Sequence, residues 1–365
     1  NVLSSSAAPD AGVDIRIRGT NSFNSDNEPL YVIDGVIING GSETVSNLSH
    51  GTDNNESNMQ TNGLLGINSQ DIASIEILKD ASATAIYGSE GANGVVLITT
   101  KVATRDRPTI TAQAGVTVGV VNRRMKMLEF DDFIDFVAPR NRTLVSLVYE
   151  NPDNYTEHRR EGLKVRPVNW QDEMLRPSVT QSYYVSLAGR PSKTSYFTSL
   201  GFRRNDGVLS GTGFSTATGR LNLSRTIGKN LSIDFKTNFS WSHTDMTQST
   251  SGNAGLQGSF TRSLLAARPF RTLTNEDIPE ESEDFESTST STPDKWLSDF
   301  VNTKDKMRVI PSVSARYKFT GWLSAKVSFG GEVSVTDTDR FKSLRISTST
   351  GTTAAASKYL SARYN

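Results

Sequence analysis

The sequence has no cysteine, so it can form neither a disulfide framework nor a thiolate metal site, and cysteine usage leaves the redox compartment open. Its three histidines, His50, His158 and His243, are far apart. A histidine-based catalytic or metal centre would have to be assembled by the fold, and isolated loop or surface histidines are the simpler reading. An excess of one charge sign is also missing: 39 Lys+Arg balance 39 Asp+Glu among 365 residues, which argues against a basic face for nucleic acid and against any polyanionic partner. No stretch approaches the roughly 20 apolar residues of a membrane-crossing helix. No nucleophile–base or carboxylate pair is displayed, so the chain reads as no enzyme, without cofactor, catalytic residues or metal ligands. The run Asp53-Asn54-Asn55-Glu56 lacks the spacing of a dedicated calcium loop.

Glycine is present in a suggestive place. SIEILKDASATAIYGSEGANGVVLITTK, residues 74–101, spaces Gly88, Gly91 and Gly94 three apart. A phosphate-cradling loop needs strand, then glycines, then a helix whose N-terminus faces the anion. Here the expected order is a strand at Ile75, Ile77 and Leu78, a short helix Ala81–Tyr87 capped by Asp80, then the glycines, then a buried strand at Val95–Ile98. The glycines are therefore expected to end the helix and allow tight turns between closely apposed elements, with Gly88 in a left-handed C-terminal position.

From residue 110 onward the hydrophobic period is two. Leu231, Ile233, Phe235, Phe239 and Trp241 alternate with Ser232, Asp234, Lys236, Asn238, Ser240 and Ser242. Residues 323–336, 217–224 and 110–120 repeat the pattern, and weaker versions run through 182–190, 195–203 and 307–319. Two architectures supply such alternation: a soluble sandwich whose apolar face is the core, or an outer-membrane barrel whose apolar face meets lipid and whose polar face lines the lumen. Several alternating runs reach 11 residues or more, longer than ordinary soluble strands. Tyr183, Tyr184, Trp241, Tyr317, Phe319 and Trp322 stand at or near strand ends, as an interfacial girdle requires. Short connections at 190–194, 226–230 and 319–322 contrast with long ones at 122–180 and 244–305, the asymmetry of an outer-membrane barrel. In that barrel Lys236 faces a watery lumen, and its replacement by Arg is expected to be silent.

The first hundred residues lack this pattern and read as a compact α+β domain, with short strands at Ile15–Arg18 and Leu30–Ile33. A wide barrel holding a folded domain is the 22-stranded plugged-transporter architecture. VDIRIRGTNSFNSDNEPLYVIDGVIING followed by INSQDIASIEILKDASATAIYGSEGANGVVLITTK resembles the plug of the SusC/RagA-like TonB-dependent outer-membrane transporters. NWQDEMLRPSVTQSYYVSLAG and TSYFTSLGFRRNDGVLSGTGFSTATGRLNLS look like that family's first barrel strands. The resemblance implies an α+β plug domain, residues 1–105, inside a transmembrane antiparallel β-barrel whose first portion is residues 106–365. It implies a bacterial outer-membrane location in the lipid bilayer. It also implies import of oligosaccharides, or in some members peptides, driven by the TonB complex with a SusD-like surface lipoprotein as lid, and allows a dimer of transporter–lid pairs. Siderophore uptake by the same architecture and a secreted binding sandwich are the alternatives. No signal peptide, N-terminal extension or TonB-box segment precedes Asn1, and only some seven to nine strands follow the plug, so the expectation is part of a longer protein.

Within that frame two sets of residues are candidates. Arg16 and Arg18 share one side of a strand and are expected to latch the plug to lumen carboxylates such as Asp234 or Glu332. The plug loops at 22–28 and 49–58 offer Asn24, Asp26, Asn27, His50, Asp53, Asn54 and Asn55 as substrate contacts, although Asn and Asp also favour loops for purely conformational reasons.

Overall fold

A computed structural model describes residues 2–4, 13–15, 29–38, 66–80, 84–153, 162–245, 260–272, 292–343 and 355–364. In the N-terminal region β1 (Val2–Ser4) pairs with β2 (Val13–Ile15). A four-stranded sheet follows, built from β3 (Leu30–Ile33), β4 (Val36–Ile38), β5 (Ile72–Leu78) and β6 (Val95–Thr100) in the order β4-β3-β6-β5. β3 runs parallel to β6, and the other neighbours are antiparallel. Asp34 and Gly35 join β3 to β4 with positive φ at both, 51° and 90°, the geometry of a type I′ hairpin, for which Asp-Gly is a preferred pair. Tyr31, Ile33, Val36, Ile38, Val96 and Ile98 form the core of this sheet together with Ile310, which belongs to the barrel wall.

The glycine-rich segment departs from expectation. Instead of a helix ended by Gly88, a 3-10 segment spans Ala85–Asn93, kinked at Gly88 (φ 62°), and Gly94 (φ 99°) closes it. Gly88 and Gly94 supply the positive φ that re-aims the chain. Gly91 supplies space instead, because a Cβ there would stand 2.9 Å from the Thr84 carbonyl oxygen. Residues 81–83 lie outside the described residues.

After the linker 101–108 the chain becomes an antiparallel meander. Its strands are β7 (Thr109–Gly119), β9 (Ser178–Gly189), β10 (Thr194–Asp206), β11 (Gly213–Ile227), β12 (Leu231–Asp245), β14 (Phe300–Lys318), β15 (Ser324–Gly330), β16 (Val333–Lys342) and β17 (Ala355–Tyr364). Each neighbours the next, except that β15 and β16 pair with successive parts of β14. The 3–5-residue turns after β9, β11 and β14 lie at one edge, and the long segments after β7 and β12 at the other; the connection 207–212 on the long side is short.

The sheet is inverted relative to a soluble protein. Ile110, Val116 and Val118 on β7, Leu200 and Phe202 on β10, Phe239 on β12, Met307 and Val313 on β14 and Phe329 on β15 are all exposed. The opposite face is polar, and much of it is buried: Ser186, Ser199, Arg220, Asn222, Asn238, Ser240, Lys304, Lys306, Arg308, Ser334, Thr336 and Thr338. A sandwich hides the apolar face. Here the polar face is hidden and the apolar face is bare, the arrangement of a barrel wall in lipid. Trp322 is 85% exposed in the turn after β14, beside exposed Tyr317 and Phe319, at the edge where an aromatic girdle belongs. Tyr184 corrects the expected girdle: it points inward and is buried, since a single step along a strand changes the face.

The long segments fold. Helices α1 (Phe130–Val137) and α2 (Arg142–Val148) pack with β8 (Val165–Pro167) and its partner β13 (Phe270–Thr272) around Ile134, Leu144, Val148 and Phe270. A second cluster joins α3 (Trp170–Met174), α4 (Phe260–Ala266) and α5 (Pro293–Asp299) through Trp170, Met174, Leu264 and Trp296. Trp170 donates to the Arg268 carbonyl at 2.7 Å, and Arg271 bridges Glu173 and Asp294. The connections after β7 and β12 thus brace one another as a platform beyond the strand ends.

Candidate functional site

The plug meets the inward face of the wall through a line of polar contacts centred on Asp34. The I′ turn carries its carboxylate to β11 and β12, where Arg220 donates to Oδ2 at 2.5 Å and Lys236 to Oδ1 at 2.9 Å. Within the plug, the Thr100 hydroxyl donates to Oδ2 at 2.6 Å and the Thr100 amide to Oδ1 at 3.2 Å. Side chains of Asp34 and Arg220 are 4% and 2% exposed, so water contributes little and each depends on the other for its charge. Burial by itself would raise the Asp34 pKa; the Thr100 and Lys236 hydrogen bonds and the charges of Lys236 and Arg220 more than offset it and hold the carboxyl below its ordinary value.

A second plug carboxylate repeats the design. The helical turn Ser69–Asp71, capped by Asn68, buries Asp71. Tyr184 of β9 donates to Asp71 Oδ1 at 2.8 Å and Ser199 of β10 to Oδ2 at 2.9 Å. Wall amides and hydroxyls then take plug carbonyls: Asn238 donates to Gly66 at 2.6 Å, Asn222 to Lys101 at 3.0 Å and Ser195 to Ala103 at 3.3 Å. Every contact in this line is a hydrogen bond or ion pair, whose groups water can hydrate once the plug has left the wall. Beside this polar line the wall's Ile310 packs into the plug core, so the interface is polar with one apolar anchor.

The latch expected from sequence had the opposite polarity, with plug arginines on wall carboxylates. Arg16 and Arg18 lie outside the described residues. Both proposed wall carboxylates have partners on the wall itself: Asp234 accepts from Ser314 at 3.3 Å, and buried Glu332 pairs with Arg308 at 2.8 Å. The plug-to-wall ion pair that the structure shows runs from plug carboxylate to wall cations. Lys236, expected to sit silently in water, ends on Asp34. Asn24, Asp26, Asn27, His50, Asp53, Asn54 and Asn55 also lie outside the described residues. Asp34, Asp71 and Arg220 are not singled out in the sequence, and Tyr184 is read there as a girdle residue. The Asp-Gly pair between two apolar runs marks a hairpin, but nothing local announces partners as far away as 202 residues.

Among the described residues no group of three or more His, Cys, Asp or Glu could hold a metal. His243 stands between Asp305 at 3.0 Å and Asp245 at 3.3 Å, at the long-segment end of β12.

The TonB-dependent Receptor Plug Domain family matches residues 1–95. TonB-dependent receptor P26 of Formosa agariphila is 34% identical over 66% of this chain, and TonB-dependent receptor SusC of Bacteroides thetaiotaomicron is 32% identical over 61%. The chain is similar to the SusC/RagA-like TonB-dependent transporters over its plug and first barrel strands. It spans 22% and 20% of the length of those two relatives. In fold it matches the RagAB peptide importer with a TM-score of 0.68, covering 93% of this chain and 38% of the other at 21% identity. The sheet is accordingly part of a transmembrane β-barrel of the bacterial outer membrane, and the α+β sheet docked on its inward face is the plug.

Proposed function

We propose that the complete protein imports oligosaccharides across the outer membrane, powered by the TonB complex and working with a SusD-like surface lipoprotein lid. The observation that carries this reading is the plug sheet seated, largely by polar contacts, on the buried polar face of a sheet whose other face is apolar and bare, which supports a wall that is blocked by its plug at rest. The SusC likeness supports the glycan class. So does the chemistry of the inward wall beyond the plug, where Thr111, Gln113, Thr117, Thr180, Ser182 and Asn205 offer hydroxyls and amides, with Arg203 as the charged exception. Neutral polyols are recognised by such groups. The plug loops at 22–28 and 49–58 are the proposed substrate contacts. The braced platform outside the strands is where a lid would rest, and a dimer of transporter–lid pairs is not required by this reading.

Peptide import is the second reading, favoured by the fold likeness to RagAB. Isothermal titration of the purified complete complex with oligosaccharides, peptides and ferric chelates separates the classes. Saturable binding of an oligosaccharide, with uptake lost when TonB is deleted, is the expected result; binding of peptides or chelates alone overturns the glycan assignment. Native mass analysis after mild extraction should show the lid copurifying, and a lone barrel would remove the lid from the proposal.

A further inference from the structure

Glycine weakens a strand unless something needs its bareness, and two inward-facing wall glycines have a plug atom opposite them. Gly201 on β10 lies in register with Tyr184 and Thr218, and Gly330 at the end of β15 with Ser312. Neither has a positive φ, so the backbone would accept any residue. Space is what each provides. A Cβ at Gly330 would come within 3.0 Å of Val36 Cγ2, and one at Gly201 within 3.0 Å of the Asn68 side-chain amide and also of Thr218 Oγ1 on the neighbouring wall strand.

The two plug side chains cannot easily move aside. Asn68 caps the turn 69–71, its Oδ1 accepting from the Gln70 amide at 3.0 Å. Val36 is β-branched and buried in the plug core among Ile33, Ile38 and Ile310. Other wall glycines differ in having no plug atom opposite them: added Cβ atoms at Gly115, Gly119 and Gly189 would meet only Ser182, Ser178 and Tyr196 of the wall, and Gly219 only Leu200 at 3.5 Å, an ordinary contact. The two sockets also bracket the polar line. Val36 is two residues beyond Asp34, and Asn68 three before Asp71.

We propose that Gly201 and Gly330 are positioning residues for the gate: sockets that receive Asn68 and Val36 and so bring Asp34 onto Arg220 and Lys236 and Asp71 onto Tyr184 and Ser199. The inference goes beyond the import reading, since it concerns closure and not cargo. Its test uses the complete protein in planar bilayers, with basal conductance as the readout. Gly330→Ala should raise conductance severalfold, and adding Val36→Ala should restore the closed state by removing the methyl that collides. Gly201→Ala, made in a Thr218→Ala background that removes the wall hydroxyl beside it, should behave likewise, rescued by Asn68→Gly, which preserves most of the cap. Gly219→Ala should change nothing. Resistance of the folded barrel to unfolding in unheated detergent gels confirms that each variant is assembled; should Gly330→Ala not assemble, the Gly201 pair decides. Wild-type conductance in the single variants overturns the proposal, and so does a leak that the second substitution fails to close, because the fault would then lie in the wall strand. Failure of the import reading shows separately, as wild-type protein without TonB-dependent uptake.

Discussion

Removing the charge at Asp34 leaves Arg220 buried without its counter-ion. Asp34→Asn should therefore weaken plug attachment by about 3–5 kcal/mol, the cost of breaking one side of a buried pair, while Lys236→Ala should cost less because Lys236 is 23% exposed and keeps access to water. Hydrogen exchange of the Tyr31–Ile33 amides in the complete protein reads the difference, and equal protection in Asp34→Asn and wild type would show that the pair holds nothing. The same carboxylate fixes the response to pH. Its folded pKa lies below the unfolded value near 3.8, so unfolding or release takes up a proton; the stabilisation is fully present above pH 3.8 and is lost as pH falls through the lower, folded value. Plug retention, read as basal conductance, should not fall with the latch between pH 8 and pH 5 and should fail only in stronger acid. The Asn variant should lack that acid step.

Along β12 the two faces make opposite demands. Phe235 lies outward in register with Leu223 and Val313, so Phe235→Arg places a guanidinium in the lipid band at a cost of about 2–4 kcal/mol, whereas Phe235→Leu with Trp241→Leu should cost little. Urea unfolding in lipid vesicles measures both, and a large loss for the double Leu variant would mean those side chains interdigitate with protein. Parity made these strands legible: the alternation over 110–120 and 231–242 placed outward and inward residues as the register has them. It was weaker over 182–190, 195–203 and 307–319 because there the inward face carries Tyr184, Phe197 and Ile310, all buried. What parity could not reveal was the platform. β8 and β13 are three-residue strands from connections more than a hundred residues apart, and short segments whose partner is remote carry no period to count. Trp170→Ala should remove its bond to the Arg268 carbonyl and its contact with Arg271, at about 3–5 kcal/mol for a large buried aromatic. Proteolysis of both long connections together, with the barrel intact, is the expected sign.

For the molecule as a whole, the four tryptophans report on the solvent of each part. Trp322 and Trp241 belong to the outward face, while Trp170 and Trp296 are buried in the platform. In single-tryptophan variants of the complete protein in vesicles, brominated lipid should quench Trp322 and Trp241 and spare the other two; sparing all four would exclude a lipid-facing wall. Division into plug and wall was visible in the sequence because the hydrophobic period changes near residue 110. The meeting of the two was not, because Asp34, Arg220 and Ile310 are neighbours only in space. Ile310 has a consequence in time as well. The strands around Tyr31, Val36 and Ile98 are synthesised more than two hundred residues before Ile310, the side chain that completes their core. Asp34 lacks its cations until β11 and β12 are made, and the apolar flank stays open until β14 follows, so the newborn plug must wait, shielded or only loosely formed, for its own container to be made.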